Sequence, residues 1–149
     1  MTKQGDLGQL LGYCGHLSHL YTDKCLRQDG FDVTPVQTRT LTYLCCHGQQ
    51  DVNQRDLERE LGLKPSTVNG IVSRLEEKGY LCRRSSPTDA RCRLLSLTEA
   101  GRDKVNTFSS AAEQAAQVSF SVLDGEEQQQ LAAFLRRIIE NLENEVKRP

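Results

Sequence analysis

The stretch from Leu57 to Gly101 constrains the fold more than any other part of this sequence. It begins with two short amphipathic segments, residues 57–63 and 65–75, and Gly62 lies at the junction between them. Two short helices joined at a glycine have the dimensions of a helix-turn-helix. Residues 83–97 then show strand-like ends around a turn rich in Ser and Pro, which predicts a hairpin in the position of a wing. This order of elements points to regulation of transcription and away from catalysis.

The basic charge of the chain is concentrated in one segment. The 149 residues carry a net charge of −1, which by itself gives no reason to expect binding to nucleic acid. Residues 64–93, however, hold seven basic and three acidic side chains, while the flanking segments are acidic. A local basic face is sufficient for contact with phosphates. A solvated charged surface is the alternative explanation of the same pattern.

Apolar residues recur at helical spacing on both sides of this segment. The pattern predicts a mainly α chain that forms a single domain, residues 1–149, with a winged helix-turn-helix core over 34–100 and a two-stranded wing. Long helices are expected over 5–28 and 99–146. Only 37% of the residues are hydrophobic, so we expect the long helices to bury their apolar stripes against a second subunit. The stripes consist of Leu7, Leu10, Leu11, Cys14, Leu17 and Tyr21 in the first helix, and of Val105, Phe108, Ala112, Ala115, Leu131, Phe134, Leu135, Ile138 and Leu142 in the last two.

Capping residues predict where the helices begin and end. Thr34 can cap a helix that has Pro35 in its first turn, and Gln37 completes a capping box. Asp124 and Glu127 form a second capping box. The remaining start and stop signals are Gly30, Gly48, Asn53, Gly62, Pro65, Gly79 and Thr98.

The helix that begins at Pro65 is predicted to be the recognition helix. Its apolar face comprises Val68, Ile71, Val72 and Leu75, which are expected to pack on Leu57 and Leu61. Its opposite face comprises Ser66, Thr67, Asn69, Gly70, Ser73 and Arg74. Short polar side chains permit close approach to a major groove, where Asn69 can pair with adenine and Arg74 with guanine or phosphate. The N–H groups at the helix start suit a backbone phosphate, although the same face could simply be the solvated side of an amphipathic helix.

Three parts of the sequence carry a family resemblance. They are the run from Ser66-Thr67-Val68 through Arg74-Leu75-Glu76 to Gly79-Tyr80-Leu81, the run Asp89-Ala90-Arg91, and the run Leu94-Leu95-Ser96-Leu97-Thr98-Glu99-Ala100-Gly101. Together they resemble the recognition helix and the D-x-R…LT-x-x-G wing signature of MarR-type winged-helix regulators. The resemblance extends over the whole length, because that family places dimerising helices at both ends.

The resemblance implies roles for individual side chains. In the family the wing arginine enters the minor groove and the nearby aspartate braces the wing tip, which assigns these roles to Arg91 and Asp89. The candidates for phosphate contact are Arg83, Arg84 and Arg93. Arg84 is the preferred one. Lys64 stands where many relatives have a capping Asp or Ser; it is a poor cap, but its charge suits a phosphate.

The chain is rich in cysteine, with Cys14, Cys25, Cys45, Cys46, Cys82 and Cys92. No C-x-x-C pair and no zinc-finger spacing is present. Three of them, Cys14, Cys45 and Cys82, occupy positions at which we expect core residues. A branch of the resembled family senses peroxides through a cysteine in the first helix. The position that matches this cysteine is Leu10, and Cys14 lies one turn later, so Cys14 is the candidate redox residue on an imperfect match.

Metal binding and catalysis are not favoured. His16, His19 and His47 could join Cys14 or Cys46 as metal ligands, but they do not reproduce the ligand pattern of zinc-responsive members of the family. Catalysis by a cysteine and a histidine two residues apart is disfavoured because such neighbours on a helix face different directions. We therefore expect no metal, no other cofactor and no enzymatic activity.

The sequence thus predicts a sequence-specific DNA-binding regulator of transcription and favours a repressor over an activator. Its homodimer would bind a pseudo-palindromic double-stranded DNA operator, and a small phenolic or other aromatic effector, or an oxidant, would release it. The effector is expected between the dimerising helices and the winged-helix body. No signal peptide and no membrane span is recognised, so a cytoplasmic location is expected. The alternative is a winged-helix module that binds another protein and not DNA.

Overall fold

The computed structural model describes residues 4–28, 30–48, 50–87 and 92–148. Within them the elements follow one another as α1 (Gln4–Gln28), α2 (Pro35–Cys46), α3 (Gln54–Leu61), α4 (Pro65–Glu77), β1 (Leu81–Ser85), β2 (Arg93–Leu97), α5 (Glu99–Phe120) and α6 (Gly125–Val146). This is the mainly α winged helix-turn-helix architecture that the sequence predicts. None of the described helices is both long and apolar enough to cross a membrane.

The core of the molecule lies where α2, α3, α4 and the sheet meet. Leu57 of α3 is fully buried, as are Val68 and Leu75 of α4. The other members of this core are Val33, Leu41, Leu44, Val52, Ile71, Val72, Leu81, Leu95, Leu97 and Val105. The predicted apolar face of α4 is therefore confirmed as its buried face.

The helix ends follow the capping residues. Gln37 donates its backbone N–H to the Thr34 side chain and accepts the Thr34 N–H at 3.1 Å, which completes the expected capping box. The same reciprocal pair forms between Asp124 and Glu127 at the start of α6. Gly62 ends α3 in the left-handed conformation (φ 64°), which favours glycine because a side chain is strained there.

The wing is an antiparallel hairpin in which Leu81 pairs with Leu97 and Ser85 pairs with Arg93. β1 ends at Ser85 and β2 begins at Arg93. Leu95 donates its backbone N–H to the carbonyl of Val52 at 2.8 Å, so the segment before α3 lies along the outer edge of β2. This contact ties the hairpin to the helix-turn-helix.

Gly101, the last residue of the wing signature, is required by packing. It is buried in the first turn of α5, and a Cβ placed there would overlap the backbone carbonyl of Tyr80. The same carbonyl accepts the N–H of Thr98 at 3.2 Å, and the Thr98 hydroxyl donates to the carbonyl of Gly79 at 2.6 Å. The start of α5 is therefore fixed against the exit of α4.

The two ends of the chain are only partly covered. The C-terminal half of α1 packs on α5 and buries Thr22 and Leu26. Val105 and Ala115 of α5 are also buried within the single chain, so the expectation that they pack against a second subunit is wrong. In the N-terminal half, Leu7 and Leu10 are each 57% exposed. No residue of α6 is buried, although Phe134, Ile138 and Leu142 form the expected apolar stripe.

The expectation that Cys14, Cys45 and Cys82 belong to the core is wrong. All three are exposed. Strand alternation turns Leu81 inward and so turns Cys82 outward. Cys45 lies in the last turn of α2, and Cys14 lies in the half of α1 that this chain leaves uncovered.

Candidate nucleic-acid interface

The polar face of α4 is open to solvent. While Val68 and Val72 are fully buried, Ser66, Thr67, Asn69 and Arg74 are exposed and Ser73 is half-buried. The helix thus presents small and polar side chains on the side opposite to its anchored face. Such a surface fits the shape and the hydrogen-bonding edges of a major groove.

The start of α4 combines a helix N-terminus with an exposed lysine. Lys64 occupies the capping position in extended conformation and makes no side-chain capping hydrogen bond, as the sequence predicts. Gln54 of α3 donates to the carbonyl of Pro65 at 3.3 Å, which holds the two helices of the helix-turn-helix together. Because the N-terminus of a helix is partly positive, a cation beside it disfavours the helix unless an anion binds there.

Arg83, which the sequence predicts as a candidate for phosphate contact, is instead held against α4. Its guanidinium forms an ion pair with Glu76 and donates from Nη2 to the Asn69 Oδ1 and the Ser73 Oγ, each at 3.3 Å. Sequence reasoning found Arg83, Asn69 and Ser73 but not Glu76 or the contacts among them. The structure therefore joins the base of the wing to the recognition helix.

Arg84 and Arg93 have more accessible positions. The side chain of Arg84 is 57% exposed and pairs with Asp51 at 3.9 Å, a loose contact between two exposed groups. Arg93 is exposed and donates to the Oγ of Ser85, its partner across the hairpin, at 2.9 Å. Both arginines lie on the wing, Arg93 on the face of the hairpin that Arg83 shares and Arg84 on the opposite face. The predicted minor-groove residue Arg91 and its brace Asp89 lie outside the described residues.

A charged cluster around Asp32 fixes the exit of α4, and sequence reasoning missed it. The Asp32 carboxylate accepts the Tyr80 hydroxyl at 2.9 Å and pairs with Lys104 of α5 at 2.9 Å and with Lys78 at 3.5 Å. The Nζ of Lys104 also lies over the rings of Phe31 and Tyr80, at 5.6 and 5.3 Å from the centroids. The residues of this cluster come from distant parts of the chain, so helical or strand periodicity carries no trace of it.

The electrostatics of this cluster favour its charged form. Burial alone would raise the pKa of Asp32, but the hydrogen bonds from Lys104 and Tyr80 and the nearby positive charges lower that pKa from 3.8 to about 2. The hydrogen bond to Asp32 in turn raises the pKa of Lys104. Both groups are therefore charged at neutral pH, and the cluster holds α4, α5 and the loop before α2 in a fixed arrangement.

A cavity of about 1060 Å³ lies between α1 and the winged-helix body. The C-terminal half of α1 and the outer side of α2 form most of its wall, and its lining includes Leu26, Phe31, Tyr43, His47 and Phe108. The rings of Tyr43 and His47 stack there, with centroids 4.1 Å apart. Thr42 also lines the cavity, and its hydroxyl is the one buried side-chain polar atom without a hydrogen-bond partner among the described residues. The cavity lies in the region where the sequence predicts an effector site, and effector binding there stays a prediction.

The candidate metal residues do not form a metal site in the described part of the chain, although His19, Cys46 and His47 line the same cavity. Cys14 is exposed on α1. Across the described ranges, no group of three or more His, Cys, Asp or Glu side chains has an arrangement that could hold a metal ion.

Comparison with known proteins gives consistent results. A model of the MarR family matches residues 31–91, from the segment before α2 into the wing. The HTH-type transcriptional repressor MdtR of Bacillus subtilis (strain 168) is 30% identical over 115 residues, which cover 77% of this chain and 73% of MdtR.

Two solved structures of S. aureus MepR are also similar to this chain. A MepR variant bound to an oligodeoxyribonucleotide shares 29% identity with a TM-score of 0.69, covering 91% of this chain and 97% of that chain. MepR bound to ethidium bromide shares 29% identity with a TM-score of 0.68, covering 95% and 97%.

Proposed function

Because the chain belongs to the MarR family of DNA-binding transcriptional regulators, we propose that it is a repressor whose homodimer binds a pseudo-palindromic operator and releases it when a small aromatic molecule binds. The observation that carries this proposal is the pairing of an exposed polar face on α4 with an anchored apolar face on the same helix. Function of this kind requires DNA, so we expect the protein to act in the cytoplasm.

The DNA contacts are proposed from exposure and charge. Lys64 and the first turn of α4 would meet a phosphate, and Asn69 and Arg74 would face the bases of a major groove. Ser66 and Thr67 line the same exposed face. On the wing, Arg84 and Arg93 would contact phosphates. Arg91 in the minor groove, braced by Asp89, remains a proposal that rests on the family resemblance.

The homodimer is proposed from the uncovered ends. The apolar stripes of α1 and α6 are about half exposed in a single chain, at residues such as Leu7, Leu11, Phe134 and Leu142. Contiguous apolar surface of this kind marks an interaction site. A second copy related by a two-fold axis would cover it and would set the two recognition helices at half-sites about one helical turn apart.

The effector is proposed from the cavity between α1 and α2. Its volume of about 1060 Å³ is at the upper end of the range for small-molecule sites. Aromatic rings stack in its wall, and the Thr42 hydroxyl beneath that wall is buried without a hydrogen-bond partner. The MepR structure with ethidium bromide shows that a similar protein binds an aromatic molecule. An oxidant acting at Cys14 is the second proposed signal; Cys14 is exposed in the single chain, on the half of α1 that the second copy would cover.

Fluorescence anisotropy with duplex DNA from upstream of the chain's own gene tests the proposal. We expect specific binding that weakens as the salt concentration rises. In Arg84→Met or Arg91→Ala the slope of this salt dependence should fall by about one unit per subunit, because each change removes one positive charge near the DNA phosphates. Cys14→Ser under reducing conditions is the control and should leave affinity unchanged. Absence of specific binding by a folded dimer would instead favour the protein-interaction module.

A further inference from the structure

We propose that Arg83 determines base preference by fixing the side-chain amide of Asn69, although Arg83 itself touches no base. The inference rests on the proposed function, since it assumes that α4 enters a major groove. It replaces the sequence-based expectation that Asn69 pairs with adenine and that Arg83 contacts phosphate.

Strand alternation explains why Arg83 faces the recognition helix. Successive side chains of a strand point to opposite faces, so Leu81 and Arg83 share one face of β1 while Arg84 lies on the other. Leu81 is buried in the core with α4, and Arg83 continues the same face toward the exposed edge of that helix. There it meets Asn69, Ser73 and Glu76, which are spaced four and three residues apart and form one row along α4.

The positive charge of Arg83 is balanced by a carboxylate of the same chain. Its side chain is 27% exposed and forms an ion pair with Glu76, whose side chain is 38% exposed. Arg84, by contrast, is 57% exposed and its carboxylate partner Asp51 is 3.9 Å away. A guanidinium whose charge is balanced by a close carboxylate adds little to the attraction for phosphate. Arg83 therefore acts as a positioning residue, and Arg84 is the member of the pair that faces DNA with its charge more loosely held.

The orientation of the Asn69 amide follows from the chemistry of its partner. A guanidinium has only N–H donors and no acceptor, so the atom of Asn69 that meets it must be the carbonyl Oδ1. In the structure Nη2 of Arg83 donates to this Oδ1 at 3.3 Å. The amide NH₂ group therefore points away from Arg83, and Asn69 presents two donors to the groove.

A group that presents only donors has a definite base preference. Bidentate pairing with adenine needs a donor to N7 and an acceptor for the N6 amino group, and the bond to Arg83 turns the Oδ1 acceptor of Asn69 away from the groove. Guanine offers two acceptors, O6 and N7, and thymine offers O4, whereas cytosine presents an N4 donor. We therefore expect Asn69 to favour guanine or thymine over adenine at one position of each half-site and to reject cytosine. Because the bond is long and is shared with Ser73, we expect a bias of several-fold.

The test is selection of duplexes from a randomised library by the full-length wild-type chain and by two matched variants. Arg83→Met and Arg84→Met each remove one positive charge from adjacent residues of the same strand. We expect Arg83→Met to release the amide and shift the preference at one position per half-site toward adenine by roughly fivefold or more. We expect Arg84→Met to weaken binding to all duplexes alike, with a salt slope lower by about one unit per subunit and no change of base preference.

Two further variants guard against misfolding and identify the contact. Arg83→Lys keeps a charge beside Glu76, but one ammonium cannot reproduce the fork that joins Glu76 to Asn69, so it should show the same shift. Asn69→Ala should abolish the preference at that position in the wild-type and the Arg83→Met backgrounds alike.

The outcomes separate the two proposals. If the wild-type protein binds DNA specifically but selects the same base after Arg83→Met and Arg83→Lys, the role of Arg83 is wrong and the proposed function stands. That role is equally wrong if Asn69→Ala leaves base preference intact, or if the wild type already selects adenine through Asn69. If the wild-type dimer selects no duplex at all, the proposed function fails, and the role of Arg83 fails with it.

Discussion

The winged-helix body and the two helical ends have the same kind of apolar periodicity. In the single chain, however, the apolar faces are buried in the body and exposed in the ends. In the body, Leu57 and Leu75 have no exposed surface. In the ends, Leu7, Phe134 and Leu142 are each at least 50% exposed. Burial of a leucine side chain contributes about 1.5–3 kcal/mol relative to exposure. A periodic stripe therefore shows that a face must be covered, but does not show whether the same chain covers it.

The same contrast separates two kinds of function. The body holds the candidate DNA-contacting residues in place through its own core and through the cluster around Asp32. The ends contribute no candidate base contact, but their assembly would set the distance between two copies of α4. The cavity lies where the two regions meet, between α1 and α2, so a ligand there touches both.

The largest effect is expected from a charge on an uncovered stripe. Ile138 of α6 is 45% exposed in one chain, and Ile138→Glu would place a carboxylate in the proposed dimer interface. An unpaired buried charge costs several kcal/mol, so we expect the dimer to dissociate and operator binding to be lost. Light scattering at tens of micromolar measures this. Glu140→Gln, on another face of α6, is the control and should leave the dimer intact; a wild-type monomer at that concentration would contradict the pairing of the ends.

A core truncation in the body should act on the stability of the fold. Leu75→Ala removes a fully buried side chain that anchors α4 in the core. We expect the free energy of unfolding to fall by about 2–5 kcal/mol, because both the transfer energy and the cavity contribute. Urea denaturation followed by circular dichroism measures the change. A loss below about 1 kcal/mol would mean that α4 is not anchored as described.

A methyl group added at Gly101 should lower the stability of the fold by disturbing the packing of α5 against the exit of α4. Gly101→Ala would drive a Cβ into the backbone carbonyl of Tyr80, and neither backbone can yield without moving α5 or the exit of α4. We expect a loss of about 1–3 kcal/mol, the usual effect of overpacking. Gly70→Ala is the matched control, since nothing lies within 4 Å of a Cβ there. In an α-helix that change should preserve or raise thermal stability.

The smallest effect is expected at Asp32, and it should depend on pH. Because the pKa of Asp32 is lowered from 3.8 to about 2, its stabilising effect is present above pH 3.8 and is lost as the pH falls toward 2. The side chain is 45% exposed, so screening by solvent limits the effect of Asp32→Asn at neutral pH to about 1 kcal/mol. Denaturation of both proteins from pH 6 to pH 2 should show their stabilities converging at acid pH. Asp51→Asn should change little, and a constant difference between wild type and Asp32→Asn across this range would overturn the assignment.

Much of the fold follows from local signals in the sequence. The capping boxes at Thr34 and Asp124, the left-handed Gly62 and the buried face of α4 all depend on residues within a few positions of one another. Such signals survive in any surroundings that keep the helix. For the same reason the exposed face of α4 could be predicted residue by residue.

The features that sequence reasoning missed share a physical origin, which is contact between residues distant in sequence. The ion pair of Arg83 with Glu76 crosses from the wing to α4, and the cluster of Asp32 joins the loop before α2 to α5. No periodic pattern encodes either contact. The expectation that cysteines such as Cys82 lie in the core is wrong for another reason. A small apolar side chain of this kind can also be exposed, so its presence alone predicts neither core nor surface.

Native mass spectrometry of the protein with a selected duplex tests most directly whether the helical ends pair two DNA-reading bodies, because it reports assembly and DNA binding together. We expect two chains on one duplex that holds two inverted half-sites. We also expect that halving the duplex to a single half-site abolishes the complex at the same concentration. A complex of one chain per duplex, or equal binding to the single half-site, would contradict the pairing.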